Sequence, residues 1–180
     1  MGIAATASEW GSTPAERARS FACDALLASY DRELHRAVGV AAPPAAVFAW
    51  LCQLRVAPYS YDWLDNWGRR SPRERSPELE ELAVGQRFMT IFRLESFEPE
   101  RQITLLHRSR VFGIVAVTYA LEPAPGGSRL VVKLRVKDPA PPVGWITGPL
   151  LPFGDLVMMR KQLHTLRDLA ERDAQRAAHA

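Results

Sequence analysis

The sequence predicts an α+β domain in which a curved antiparallel sheet packs against one long C-terminal helix. Three observations carry that prediction. From Gly85 to Lys137 the apolar residues recur with period two, as in half-buried strands. The breaks in this stretch, Pro99-Glu100 and Ala124-Pro125-Gly126-Gly127, have hairpin length, so neighbouring strands run antiparallel. Finally, Leu156, Met159, Leu163, Leu166 and Ala170 recur at offsets of three and four, the stripe of a helix laid along a sheet.

Composition agrees with a single globular domain. The chain has 180 residues, 47% apolar and 24% charged, which excludes a disordered tail, a collagen-like repeat and a coiled coil. Its formal net charge is only +3, with 20 arginines among the 23 basic residues, so no nucleic-acid or membrane partner is demanded. Fourteen prolines mark the chain's joints. The two cysteines, Cys23 and Cys52, are too few for a disulfide framework and suit buried thiols in a reducing, cytoplasmic compartment. No signal peptide is visible, and the most apolar region, Val143 to Met159, is too broken by glycine and proline for a membrane span.

Thr13-Pro14-Ala15-Glu16 starts a short N-terminal helix: a capping threonine, proline at the first helical position and glutamate three residues after the cap. Phe21, Ala22, Ala25 and Leu26 give it one modest apolar stripe. Glu33 to Val40 alternates as a strand, with Leu34, Arg36, Val38 and Val40 on one face. Pro43-Pro44 then opens a helix carrying Val47, Phe48, Trp50, Leu51 and Leu54, limited by Pro58. An exposed connection follows, with the basic block Arg69 to Arg75 offset by Glu78, Glu80 and Glu81.

The predicted strands of the meander are Gln86 to Leu94, Glu95 to Glu98, Gln102 to Arg108, Phe112 to Glu122 and Arg129 to Lys137. In the last, Leu130, Val132, Leu134 and Val136 form a buried face, and Arg129, Lys133, Arg135 and Lys137 a wet one. Asp138 to Gly148 is a proline-punctuated crossover, and Asp155 reads as a cap before the final helix, whose polar tail frays from Glu171.

One helix covers only part of a curved sheet, so the remaining apolar residues either pack together or line a cavity. The order of elements resembles the START-like (SRPBCC) superfamily, whose helix-grip members include polyketide cyclases, aromatases and lipid-transfer domains. The resemblance spans roughly residues 30 to 172. It rests on Val40-Ala41-Ala42-Pro43-Pro44-Ala45-Ala46-Val47-Phe48-Ala49-Trp50-Leu51, on Gly85-Gln86-Arg87 and on Ser128-Arg129-Leu130. Ala57 to Trp63, with Asp65-Asn66 and Gly68 to Pro72, resembles a subgroup signature among bacterial members. The superfamily shares no single catalytic motif, so no catalytic role is implied for any residue. The implied organisation is an N-terminal extension over residues 1–30, a ligand-binding domain over 31–172 and a tail over 173–180.

Trp50, Tyr59, Tyr61, Trp63 and Trp67 crowd into 18 positions, interleaved with Asp62, Asp65 and Asn66. Either these rings wall a pocket for a planar or lipid-like ligand, or they plug the open end of the sheet. Asp62 and Asp65 read as exposed caps rather than an acid/base pair. His107, beside Ile103 and Leu105, and Tyr119, beside Val115, Val117 and Leu121, are the polar candidates for proton transfer on the strands. Phe88, Phe92, Leu134, Met159 and Leu163 complete the expected lining, and Trp145, between Gly144 and Gly148, the expected mouth. No histidine stands at metal-ligand spacing with another ligand, so neither metal nor cofactor is expected. The expected function is binding of a hydrophobic small molecule: a lipid, polyketide or aromatic metabolite. A cyclase- or aromatase-type enzyme and a protein-interaction module with a collapsed cavity are the alternatives, and the sequence allows a monomer or a homodimer.

Overall fold

A computed structural model of the chain describes residues 8–61, 70–110, 113–139 and 151–179, with side chains from Val157 onward in the last segment. Two short helices, α1 (Pro14–Arg17) and α2 (Ala22–Leu26), precede strand β1 (Arg32–Val40) and helix α3 (Pro44–Cys52). Five strands follow: β2 (Arg87–Phe88), β3 (Phe92–Glu98), β4 (Gln102–Ser109), β5 (Gly113–Ala124) and β6 (Gly127–Lys137). Helix α4 (Leu151–Ala178) ends the chain. The strands form one six-stranded antiparallel sheet in the order β1-β6-β5-β4-β3-β2. Consecutive strands from β2 to β6 pair through hairpins, and β1 closes the far edge against β6.

Register decides which side chains face the helix. Leu34 lies opposite Leu134, which lies opposite Val117, which lies opposite Leu105, which lies opposite Leu94. All five are buried in one cluster with Val47, Trp50 and Leu51 of α3 and Met159, Leu163 and Leu166 of α4. Burying a leucine or isoleucine contributes about 2 kcal/mol, so this layer is the main source of stability.

The long strand predicted over Gln86 to Leu94 is two strands and a turn. Phe88 pairs directly with Phe92, and between them Met89 (φ 45°) and Thr90 (φ 68°) take left-handed backbone. Apolar periodicity continues through the bend because Phe88 before it is buried and Phe92 after it is half-buried, which hides a turn that lacks glycine. A bulge between Leu94 and Ser96 lets Phe97 rejoin the helix-facing side opposite Ile103. The predicted strand at Glu95 to Glu98 is therefore the continuation of β3. Asp155 is also corrected: α4 begins at Leu151, so Asp155 stands inside the helix, and Pro152 is tolerated because it falls in the first turn. The other end runs helical to Ala178, past the predicted fraying point at Glu171. Its composition there favours helix, and two carboxylates anchor it. Glu171 Oε1 accepts from the Ala41 amide at 2.8 Å, and Asp173 Oδ2 accepts from the Trp50 indole at 3.0 Å.

Much of the face predicted to be wet is covered, although Lys137 at its end is exposed. Phe21, Cys23 and Leu27 pack on Ala37, Leu106, Ala116, Ala120 and Val131, forming a second core on the outer side of the sheet. Lys133, read from alternation as solvent-facing, is only 3% exposed. Its ammonium meets Asp24 at 2.9 Å and Glu33 at 3.2 Å, and Arg135 Nε meets the same carboxylates at 3.0 and 2.9 Å. Residues before α1 close the outer edge of β1. The Ala37 amide donates to the Trp10 carbonyl at 3.1 Å, so part of the free edge of β1 is paired.

Candidate functional site

The helix-facing side gathers most of the aromatic and apolar residues singled out in the sequence. Trp50, Tyr59, Phe88, Tyr119, Leu134, Met159 and Leu163 are all buried in the same cluster, and Phe92 packs against it half-buried. Tyr61 is also half-buried. Trp63, Trp67 and Trp145, with Asp62, Asp65 and Asn66, lie outside the described residues. Trp50 and Tyr59 meet edge to face, with centroids 5.8 Å apart. Tyr59 holds left-handed backbone, φ 56°, although fully buried. For a tyrosine such a conformation costs about 1–3 kcal/mol and persists only where surrounding contacts enforce it.

His107 sits at the end of β4 beside the bend between β2 and β3. Its Nδ1 is 2.9 Å from the Ile91 carbonyl, an acceptor, so the proton stands on Nδ1. Its ring tilts against Phe92 at 5.5 Å.

Sequence reasoning missed two polar residues on this side. Arg36 is fully buried in β1, and its Nη1 donates to the His35 carbonyl at 2.9 Å. Across the sheet its row runs Arg36, Val132, Tyr119, Ile103, Phe97. The period-two pattern already placed Arg36 on the face of Leu34 and Val38; a charge among apolar neighbours was the available signal. The other is Gln162 on α4, which is 4% exposed. It follows Met159 by three residues and precedes Leu166 by four, and that spacing was its signal. Tyr119 Oη donates to Gln162 Oε1 at 2.7 Å, and Gln162 Nε2 donates to the Pro58 carbonyl at 2.6 Å. One side chain thus ties the middle of the sheet, the final helix and the segment leading to Tyr59 together.

The thiols are not part of this chemistry. Burial pushes Cys23 up to about 11 and Cys52 up to about 12, so neither is a thiolate near neutrality. Among the described residues, no three His, Cys, Asp or Glu side chains stand where they could hold a metal ion, and no helix is long and apolar enough to cross a membrane. A separate open groove of about 510 Å³ runs along the last turns of α4 between Arg172, Gln175, Arg176 and His179.

Neither a family model nor a curated protein sequence matches the chain. Solved structures do. The di-domain ARO/CYC StfQ from the steffimycin biosynthetic pathway aligns over 79% of this chain and 51% of its own, at 11% identity and TM-score 0.46. Protein MLL2253 from Mesorhizobium loti aligns over 78% of this chain and 98% of its own, at 19% identity and TM-score 0.51. A Rhodobacter sphaeroides protein aligns over 76% of this chain and 91% of its own, at 16% identity and TM-score 0.51. At these identities the likeness to the two bacterial proteins is one of fold alone.

Proposed function

We propose that the protein is a helix-grip, START-like domain that binds a hydrophobic small molecule, of the lipid, polyketide or aromatic class, between the sheet and α4. The observation that carries this reading is the make-up of the helix-facing layer. It is apolar across β1, β6, β5, β4 and β3, yet it holds buried polar groups at Tyr119, Gln162 and Arg36. Tyr119, Gln162 and the Pro58 carbonyl bond one another, yet an apolar core of the same shape without such a set would be about as stable. Sites for small molecules combine such an apolar lining with a few convergent polar groups.

Leu134 tests the placement. It lies mid-sheet, opposite both Leu34 and Val117. Protein purified from its own host retains an apolar molecule detectable by native mass spectrometry. Leu134→Trp, which fills that layer, loses the molecule while still unfolding cooperatively. A wild-type protein that carries no molecule, or a variant that keeps it, overturns the reading.

One observation favours a cyclase-type enzyme as the second reading. The Ile91 carbonyl lies 2.9 Å from His107 Nδ1 and so orients an imidazole, the side chain that most often moves protons in catalysis, at the end of β4. In that case His107→Ala abolishes turnover and leaves ligand affinity within a few-fold. Equal losses in both refute the catalytic role.

A further inference from the structure

Gln162 is oriented by its surroundings. The Pro58 carbonyl only accepts hydrogen bonds, so the amide nitrogen must face it, and Tyr119 Oη then donates to the amide oxygen. This fixes the second N–H of Nε2, which points at the sulfur of Met89, 3.2 Å away. A thioether is a weak acceptor, so a buried amide donor is spent on a poor partner. Met159 supplies a second thioether, 3.8 Å from Tyr119 Oη. Two methionines therefore flank the Tyr119–Gln162–Pro58 junction. Methionine has three rotatable bonds and adapts its shape at little cost. Met89 can move its side chain without moving its backbone, because its amide is fixed to the Leu54 carbonyl at 2.7 Å. Strain collects at the same point: Tyr59, Met89 and Thr90 are three of the four non-glycine residues with positive φ among the described residues. At Met89 and Thr90 the angles are those of the tight turn between β2 and β3, whereas at Tyr59 no hairpin requires them.

We propose that Gln162 is the specificity-determining residue of this site, and that its free-standing use is to bind a carbonyl oxygen. An apolar ligand carrying a ketone-type carbonyl displaces the Met89 thioether and accepts the second Nε2 hydrogen bond. This rests on the small-molecule reading above and adds the chemical class of the ligand. No bond is made or broken; one weak N–H···S contact is exchanged for an N–H···O bond.

The test uses a pair of probes, 2-acetylnaphthalene and 2-ethylnaphthalene, which share a carbon skeleton and differ in the carbonyl oxygen. Equilibrium dialysis gives the affinity of each for each protein, and the ratio of the two is the readout. In the wild type the ketone binds about tenfold more tightly than the hydrocarbon, the factor that one net hydrogen bond of about 1.4 kcal/mol supplies. Gln162→Met has similar volume and no donor, leaves the ketone oxygen unpaired, and brings the ratio to one or below. A merely structural glutamine would shift both affinities together and leave the ratio alone. Met89→Leu removes the competing thioether, leaves the amide donor without that partner and raises the ratio; it decides the matter if Gln162→Met does not fold. A wild-type ratio near one, a ratio unchanged by Gln162→Met, or one not raised by Met89→Leu overturns the proposal while the binding reading stands. If neither probe binds the wild type, the binding reading falls and this proposal with it.

Discussion

Replacing Glu33 by glutamine removes one charge from a nearly closed cluster and keeps its shape. Glu33 Oε2 meets Arg135 Nε at 2.9 Å and Lys133 Nζ at 3.2 Å, and Oε1 meets His35 Nε2 at 3.0 Å. From α2, Asp24 meets the same two cations, and the Cys23 thiol stands 3.6 Å from the Lys133 carbonyl. Tyr30 lies over the Arg135 guanidinium at 4.3 Å and Phe21 over the Lys133 ammonium at 5.6 Å. Burial alone would raise the Glu33 carboxyl, but hydrogen bonds from His35, Arg135 and Lys133 outweigh it and hold the group at about 2, against an ordinary 4.5. Each tenfold change in proton affinity is about 1.4 kcal/mol, so the ionised form contributes at most about 3 kcal/mol. The Glu33 side chain is 24% exposed, and screening reduces this to about 1–2 kcal/mol. Because the folded protein depresses this carboxyl, its contribution is complete above about pH 4.5 and is lost as pH falls towards 2. Urea unfolding followed by tryptophan fluorescence therefore shows Glu33→Gln less stable than wild type by about 1–2 kcal/mol at pH 7, and by less than half as much at pH 3. A difference that is absent at pH 7, or the same at both pH values, refutes the reasoning.

Two further outcomes concern the N-terminal segment and the thiols. A Cβ on Gly11, which has φ 72°, would lie 2.1 Å from the Ala37 carbonyl oxygen, whereas one on Gly39 would meet nothing within 4 Å. Gly11→Ala therefore lowers stability by about 2 kcal/mol in a thermal melt while Gly39→Ala stays within about 0.5 kcal/mol; equal effects would contradict the close approach at the β1 edge. Cys23 and Cys52 are both fully buried with raised thiols, so Ellman's reagent at pH 8 finds neither in the native protein and both after denaturation. Rapid reaction at Cys23 in the native state would show that α2 leaves the sheet.

The helix-facing layer was legible in the sequence because two periodicities agree on it. Leu130, Val132, Leu134 and Val136 repeat every second residue, while Met159, Leu163, Leu166 and Ala170 repeat every third or fourth. A sheet face and a helix stripe that each need burial satisfy one another. The outer face was misread because alternation reports only that polar residues stand opposite apolar ones. It cannot distinguish a lysine in water from a lysine between two carboxylates. The covering residues, Phe21, Cys23 and Leu27, lie about 110 positions before Val131, and nothing local in either segment reveals the other.

The same limit explains the site. Candidate polar groups were sought among carboxylates, histidines and tyrosines, the side chains that titrate, and that search reached His107 and Tyr119. Gln162 is neither acidic nor basic, and its position is informative only once Pro58, Met89 and Tyr119 surround it. The two contacts that give it a possible function, a strong acceptor at Pro58 and a poor one at Met89, come from segments 104 and 73 residues away in the chain. What singles it out is a mismatch between a buried donor and its partner. A mismatch of this kind is a property of the packed structure: leucine at 162 would keep the apolar stripe but take this partner from the buried Tyr119 hydroxyl and the Pro58 carbonyl, so folding accounts for the amide oxygen and its first hydrogen but not for the second. That second hydrogen is the part of the amide that something other than folding can use.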